Sequence, residues 1–355
     1  MENGRGISVS RTNDWVSATE VPVLLIVWRR PEHLRQVIGA LRQVKPQKVY
    51  VACDGPNPSR PGEREKVSLV QRVIDTEVDW SCQIFKRYHS ENIGCRNSVI
   101  HAIDWFLDEV GEGIILEDDC VPSPDFFRYC SELLSRFRHD TRIWSICGSN
   151  FQLGNRRGDA DYYFSIHGDS WGWATWKRAW NHFHAAEEGW QQYRDSGVMH
   201  NVLTDPHERR YWTAIMDDLF VRGIPDAWDY QWWLAGWMNH ALHIWPNSSL
   251  ISNIGFGPDA THTFTRTLFS ELPTDAIEVL THPRFILPDR AADRFAFLHR
   301  RHGQEQIDRA RFGLIYPLVR RLRTARSEGL GNYIKRNMSR LKSKVVVPLQ
   351  EKCTS

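Results

Sequence analysis

Apolar and polar positions fall into regular alternating blocks from about residue 20 onward. Val21 to Trp28 is an unbroken apolar run rich in β-branched residues, the pattern of a parallel strand covered on both faces. Pro31 suits a first helical turn, and Leu34, Val37, Ile38 and Leu41 follow at helical spacing. Lys48 to Cys53 predicts a second strand, broken by the turn formers Asp54, Gly55 and Pro56. A helix carrying Val67, Val70, Val73 and Ile74 leads to a strand around Cys82 to Tyr88. Next comes a helix with Val99, Ile100, Ile103, Phe106 and Leu107 on one face, then a strand at Ile114 to Leu116. Strand and helix alternating in this way predict an α/β fold with a mostly parallel sheet and helices on both faces. Such sheets bind ligands outside the carboxyl ends of their strands. Arg29, Arg30, Asp54 and Glu117 to Asp119 all fall at those ends.

Beyond Pro122 a helix bearing Phe126, Phe127, Cys130, Leu133, Leu134 and Phe137 is expected, then a strand at Ile143 to Cys147. The stretch from Tyr162 to His262 is dense in Trp, Gly, His and Asp, and short periodicity assigns its elements poorly. The chain therefore divides into a polar leader over 1–19, an α/β half over 20–160, a Trp-rich half over 161–265 and a helical, basic C-terminal extension over 266–355. No internal repeat or low-complexity segment interrupts this order.

An apolar fraction of 41% and a charged fraction of 25% exclude a disordered or fibrous chain. The seven Cys lack C-x-x-C spacing, which argues against a zinc knuckle or a thioredoxin-like pair and for reduced thiols. No apolar run reaches the length of a signal peptide or a membrane span, so a cytoplasmic location is expected. Charge is uneven. Gly303 to Ser355 holds 12 Lys or Arg against 4 Asp or Glu, a net +8, which leaves −6 elsewhere in a chain of net +2. With Leu314 to Arg323 and Lys335 to Lys344 mixing apolar and basic positions at helical period, the tail fits either a peripheral contact with a membrane surface or a solvated helix. Nucleic acid is not an expected partner, since the body is acidic and no recognised binding motif is present.

The strongest chemical signal is Ile114-Ile115-Leu116-Glu117-Asp118-Asp119, an apolar strand ending in three consecutive carboxylates. Neighbouring carboxylates raise one another's pKa unless a cation or hydrogen-bond donors offset the repulsion, and hard divalent cations prefer oxygen. An Mg²⁺ or Mn²⁺ ion held here, with phosphate oxygens completing its shell, would stabilise a departing diphosphate. Elsewhere such a triplet would read as a solvated acidic turn; the end of a buried strand favours a site.

The run Ile115 to Tyr129, ILEDDCVPSPDFFRY, resembles the strand, acidic triplet and following helix of the N-acetylglucosaminyltransferase I family and its bacterial relatives. The resemblance spans roughly residues 20 to 265 and implies a GT-A (Rossmann-like) fold and inverting transfer of a sugar from a nucleotide-sugar donor. It makes Asp119 the metal ligand and places Asp118 and Glu117 on the donor. It also implies that Arg30, in Trp28-Arg29-Arg30-Pro31-Glu32, approaches the nucleotide, and that Asp54, in Cys53-Asp54-Gly55, accepts from the uracil N–H. Residues 20–160 become the nucleotide-sugar-binding half and 161–265 the acceptor half.

Four further segments join this picture. Arg96 follows Asn92-Ile93-Gly94 at a helix start, where backbone N–H groups and a guanidinium favour phosphate. Trp171-Gly172-Trp173 suggests backbone close to a ligand with an aromatic on each side, or else a tight turn in the core, and resembles the family segment beside donor sugar and acceptor. In Asp226-Ala227-Trp228-Asp229 a carboxylate could take the proton of an attacking hydroxyl. The resemblance favours Asp229 over Asp226, and a helix cap is the plain alternative for either. Asn253 to Thr263 contains two Gly and a Pro before His262, and resembles the family's closing loop, presenting His262 to metal or diphosphate.

The expected partners are a UDP-sugar donor, with N-acetylglucosamine as the candidate sugar, and a saccharide or glycoconjugate acceptor. Two rivals remain. A sugar-phosphate nucleotidyltransferase should carry a Gly-rich loop after the first strand, where this chain has Trp28-Arg29-Arg30. A non-catalytic saccharide-binding protein would account for the 16 Trp alone.

Overall fold

The computed structural model describes residues 20–223, 227–257, 267–301 and 303–313. Its first half follows the alternation in the sequence: β1 (Val23–Val27), α1 (Pro31–Val44), β2 (Lys48–Cys53), α2 (Glu63–Glu77), β3 (Gln83–Tyr88), α3 (Cys95–Val110) and β4 (Glu112–Glu117). A short strand β5 (Cys120–Pro122), α4 (Pro124–Phe137) and β6 (Ile143–Cys147) come next. The Trp-rich half supplies β7 (Tyr162–Ser165), β8 (Trp173–Trp176), α5 (Lys177–Trp180), α6 (Ala185–Asp195), α7 (Pro206–Arg222), α8 (Asp229–Met238), β9 (Leu242–Pro246), β10 (Ile251–Asn253) and α9 (Arg290–Arg300).

Eight strands form one sheet in the order β3-β2-β1-β4-β8-β6-β9-β7. β1, β2, β3, β4, β6 and β9 run in one direction and only β8 and β7 oppose them, so the sheet is mostly parallel. The order reverses at β1. The chain moves from β1 outward to β2 and β3, then returns across the sheet to place β4 on the other side of β1. Right-handed crossovers then put α1 and α2 on one face and α3 on the other. The space between the carboxyl ends of β1 and β4 is thus the switch point, with Trp28 to Arg30 on one side and Glu117 to Asp119 on the other.

The core explains the strand composition. β1, β6, β7, β8 and β9 are buried along their whole length, whereas the edge strand β3 carries Lys86 and Arg87 and is largely exposed. Gln231 to Trp237 of α8 are seven consecutive buried residues, as expected of a helix enclosed on all sides. Twelve of the 16 Trp are buried, so most of the tryptophan content is packing; among the described residues only Trp28, Trp105 and Trp171 are partly exposed. The sequence reading missed β5, whose antiparallel partner β10 lies far along the chain and pairs Asn253 with Cys120, Ser252 with Val121 and Ile251 with Pro122.

Residues from Arg301 onward form a second compact unit, in which the described element is the helix α10 (Gly303–Phe312). The leader over 1–19 and the mixed apolar and basic segments from Leu314 lie outside the described residues. No helix among the described residues is long and apolar enough to cross a membrane.

Helix α9 docks on the edge strand β7 through buried polar groups. Ser165 Oγ donates to Asp293 at 2.6 Å, and the Asp289 N–H donates to the Phe164 carbonyl at 2.7 Å. Burial pushes the Asp293 carboxyl up to about 6, against the opposing pull of His167, the Ser165 hydroxyl and Arg290. An unfolded Asp titrates near 3.9, so between about pH 4 and 6 the folded chain holds a proton that the unfolded chain has lost. Stability from this group therefore falls as pH rises through that window. Relative to wild type, Asp293→Asn should gain about 1–3 kcal/mol as pH is raised from 4 to 7, measured by urea unfolding. Parallel pH dependence of the two proteins would rule this out.

Candidate functional site

The carboxyl end of β4 concentrates charge because the strand itself is enclosed. Glu117 is the last residue of β4, opposite Ile26 of β1, and Asp118 and Asp119 follow in the turn to β5. Asp118 and Asp119 are buried, and Glu117 is half-buried. The opposing cation comes from the turn after β1. Arg30 donates to Asp118 through Nη2 and reaches Asp119 Oδ2 through Nη1 at 2.9 Å. The Trp28 N–H donates to the other Asp118 oxygen at 3.2 Å.

One guanidinium does not neutralise this site. Burial raises the Asp118 pKa despite Arg30. Burial, with the charges of Asp119, Asp118 and Asp229 added, pushes Glu117 up to about 8, and Arg30 only partly offsets it. For Arg30 burial acts against the charged form, yet Asp118 and Asp119 outweigh it and the pKa rises. The influence of Asp229 on Glu117 places Asp229 in the same electrostatic neighbourhood. Asp229 is the half-buried first residue of α8, and the preceding Trp228 ring stacks on Trp173 at 5.6 Å.

Asp119 is gripped from its far side by the β5–β10 ribbon. Its carbonyl accepts from the Ile254 N–H at 2.9 Å, and the Gly255 N–H donates to Asn253 Oδ1 at 2.8 Å. A Cβ on Gly255 would lie 1.9 Å from Asp119 Oδ2, so only glycine permits this approach. Ile251 of the same ribbon lies where a Cβ on Gly172 would stand, 2.5 Å away, with Leu116 at 3.3 Å. Gly172 has φ +64 and thus sits beside the residue that precedes the triplet.

The two flanking tryptophans differ. Trp173 opens β8 and is buried among Trp180, Trp228 and Trp232, so its ring faces the core. Trp171 is half-buried and meets the edges of Phe151 and Phe256 at 5.3 and 5.7 Å. Its support comes from α9. The Arg300 guanidinium lies 3.5 Å from the Phe151 ring centre and 4.9 Å from that of Trp171, and donates to buried Asp169 at 2.7 Å. Asp169 in turn accepts from the Trp171 N–H at 3.3 Å. Sequence spacing could not pair residues 131 positions apart.

Asp54 and Arg96 bind the chain to itself. Asp54 accepts from the N–H groups of Gly55 and Ile93 at 2.8 and 3.0 Å and from Asn92 Nδ2 at 2.7 Å, joining the loops after β2 and β3. Burial raises its pKa and the N–H donors oppose the rise. Arg96 Nη2 bonds Glu187 at 2.8 Å and Gln231 at 2.5 Å, linking α3 to α6 and α8. Its Nε is buried without a hydrogen-bond partner. Trp28, which sequence reasoning used only as a landmark, donates its indole N–H to the Gly55 carbonyl at 3.1 Å and lies under Arg29 at 4.6 Å. His262 and Asp226 lie outside the described residues.

The structure therefore brings Arg30, Glu117, Asp118 and Asp119 together at the switch point and packs Gly172 beside Leu116; Asp229 bears on Glu117 from the start of α8, Trp171 stays half-exposed and Trp173 lies in the core. Three carboxyl groups crowded around one guanidinium offer hard oxygen donors, a set that could hold Mg²⁺ or Mn²⁺. No three Asp, Glu, His or Cys side chains among the described residues form a ready-made metal cage. An ion here would take one or two carboxylate oxygens and complete its shell from ligand or water.

No family model matches the sequence, and no curated protein sequence does so. Among solved structures, HddC from Yersinia pseudotuberculosis superposes with a TM-score of 0.28 and 10% identity, over 44% of this chain and 77% of that one. HddC complexed with GMP-PN gives a TM-score of 0.27 at 12% identity, with the same two coverages. A putative glucose-1-phosphate thymidylyltransferase from Bacillus anthracis in complex with a sucrose gives 0.27 at 9% identity, over 46% and 74%. Superpositions this slight carry no functional argument, which rests on the site itself.

The ribbon's grip on Asp119 has a direct consequence. Gly255→Ala should push the Asp119 carboxylate out of its contact with Arg30 and lower stability by about 1–3 kcal/mol, measured by urea unfolding. Wild-type stability in that variant would mean that the close approach is unimportant.

Proposed function

We propose that this chain is a metal-dependent glycosyltransferase that moves a sugar, with inversion, from a UDP-sugar to a hydroxyl of a saccharide or glycoconjugate. The observation that carries the proposal is the meeting, at the sheet's switch point, of an under-neutralised carboxylate triplet with Arg30 and Asp229. A nucleotide diphosphate suits the carboxyl end of an open α/β sheet. The resemblance around Ile115 to Tyr129 supports N-acetylglucosamine as the transferred sugar.

In this reading Asp119 holds Mn²⁺ or Mg²⁺ with Asp118 and Glu117 beside it, and His262 is a further candidate ligand. The bound metal supplies positive charge at the leaving diphosphate. Arg30 adds a fork of donors suited to phosphate oxygens. Asp54 holds the loops that shape the nucleoside end of the site, and Arg96 stands at the start of α3. Gly172 lets the β5–β10 ribbon pack beside Leu116, and the half-exposed Trp171 next to it offers an aromatic surface for a sugar ring. Asp229 takes the proton of the acceptor hydroxyl as the new oxygen–carbon bond forms at the anomeric centre. The bond from that carbon to the diphosphate oxygen breaks, and the diphosphate departs with the electron pair. The basic C-terminal region fits a contact with an anionic membrane surface.

A thermal-shift screen of nucleotides and nucleotide sugars with Mn²⁺ tests the donor class, because a ligand selective for the native state stabilises it. UDP and a UDP-sugar should stabilise wild type, and Asp119→Asn should abolish the metal-dependent part of that shift. An unchanged metal-dependent shift in Asp119→Asn would remove its ligand role. Nucleotide-sugar synthesis from a nucleoside triphosphate and a sugar 1-phosphate would assign the chain to the nucleotidyltransferases instead. Saccharide binding with no nucleotide binding would favour a lectin-like protein.

Asp229→Asn should lower transfer by about 10²- to 10⁴-fold while leaving donor affinity within a few-fold of wild type. Full transfer activity in that variant would exclude Asp229 as the base.

A further inference from the structure

We infer that Arg30 is the resident counter-cation of the acidic triplet, and that a divalent metal ion engages Asp119 strongly only when a nucleoside diphosphate draws the guanidinium away. The inference rests on the donor-site reading above and adds an order of events to it. Its basis is the way Arg30 bridges the two aspartates in a shielded recess. One guanidinium nitrogen serves Asp118 and another serves Asp119 Oδ2, so the fork spans two adjacent carboxylates. All three side chains are largely shielded, with 15% of Arg30, 3% of Asp118 and 10% of Asp119 exposed.

Neither aspartate has an unencumbered oxygen to offer. The second Asp118 oxygen accepts from the Trp28 N–H. Asp119 Oδ1 accepts from the Cys120 thiol at 3.4 Å, and Oδ2 is wedged between Arg30 Nη1 and the Gly255 backbone. A metal ion arriving by itself would either share Oδ2 with a guanidinium in a poorly solvated recess, where like charges repel strongly, or displace it unaided. The second course strands a buried guanidinium without its partners.

A diphosphate removes both obstacles. Its oxygens accept the guanidinium fork as well as the carboxylates do, and they supply the remaining ligands of a hard cation. Arg30 can exchange partners because its main chain is anchored independently: its carbonyl accepts from the Leu34 N–H at 3.1 Å, and Pro31 begins α1 directly after it. Metal and nucleotide binding are then coupled, each strengthening the other by the same factor. Only the side chain has to move.

The test is Mn²⁺ binding followed by the electron paramagnetic resonance signal of free Mn²⁺, in wild type and Arg30→Gln, first alone and then with saturating UDP. Without nucleotide, Arg30→Gln should bind Mn²⁺ at least tenfold more tightly than wild type. UDP should tighten Mn²⁺ binding at least tenfold in wild type, and by a clearly smaller factor in the variant. Arg30→Lys keeps one positive charge but loses the fork, so its affinity for Mn²⁺ alone should lie between the two; it also provides the comparison if Arg30→Gln does not fold. UDP binding by wild type together with equal affinities of all the proteins for Mn²⁺ alone overturns the exchange and leaves the donor site standing. Failure of all the proteins to bind UDP with Mn²⁺ overturns the donor-site reading and the exchange with it.

Discussion

The organising constraint is a surplus of negative charge that cannot escape into solvent. Leu116 and the residues before it are buried between neighbouring strands, so the chain delivers Glu117, Asp118 and Asp119 into a partly enclosed recess. Carboxylates there must be met by donors or cations, and Arg30 and the Trp28 N–H supply them from the turn after β1, while the β5–β10 ribbon holds the Asp119 main chain through the Ile254 N–H. Even so Glu117 is left with a carboxyl pushed up to about 8. A fold that served packing alone would gain nothing from this arrangement, since removing the charges would relieve it. Its position beside a topological switch point is what makes it the candidate site.

The second half of the sheet builds the opposite wall by different means. There the stabilising material is aromatic. Trp173, Trp180, Trp228 and Trp232 pack as one cluster, and Trp228 immediately precedes Asp229, so the start of α8 is seated by large apolar contacts. Trp171 is held differently, by a guanidinium between two rings and an ion pair to a buried carboxylate. One wall is thus fixed by dispersion and area, and the rim by a charge network delivered from α9. The abundance of tryptophan is chiefly a property of this packing, which weakens the idea that the Trp count alone signals saccharide binding.

Much of this was legible in the chain itself. Apolar runs at period two or less and helices at period 3.6 determined the alternation from β1 to β6, and the abrupt change from Leu116 to Glu117 marked the end of β4 and the candidate site there. These features are local: each is decided by residues a few positions apart, whose burial and backbone preferences act whatever the rest of the chain does. What only the tertiary structure decided is who meets whom. That Arg30 bridges Asp118 and Asp119, that Arg96 binds α6 and α8, and that Arg300 supports Trp171 depend on contacts between residues 88, 91 and 131 positions apart, and only packing turns Trp173 inward while Trp171 stays half-accessible. Long-range ion pairs leave no periodic trace in a sequence, because a guanidinium can reach any carboxylate that folding brings within a few ångströms of it. The sequence determined where charge would accumulate; the folded sheet decided which cation would answer it.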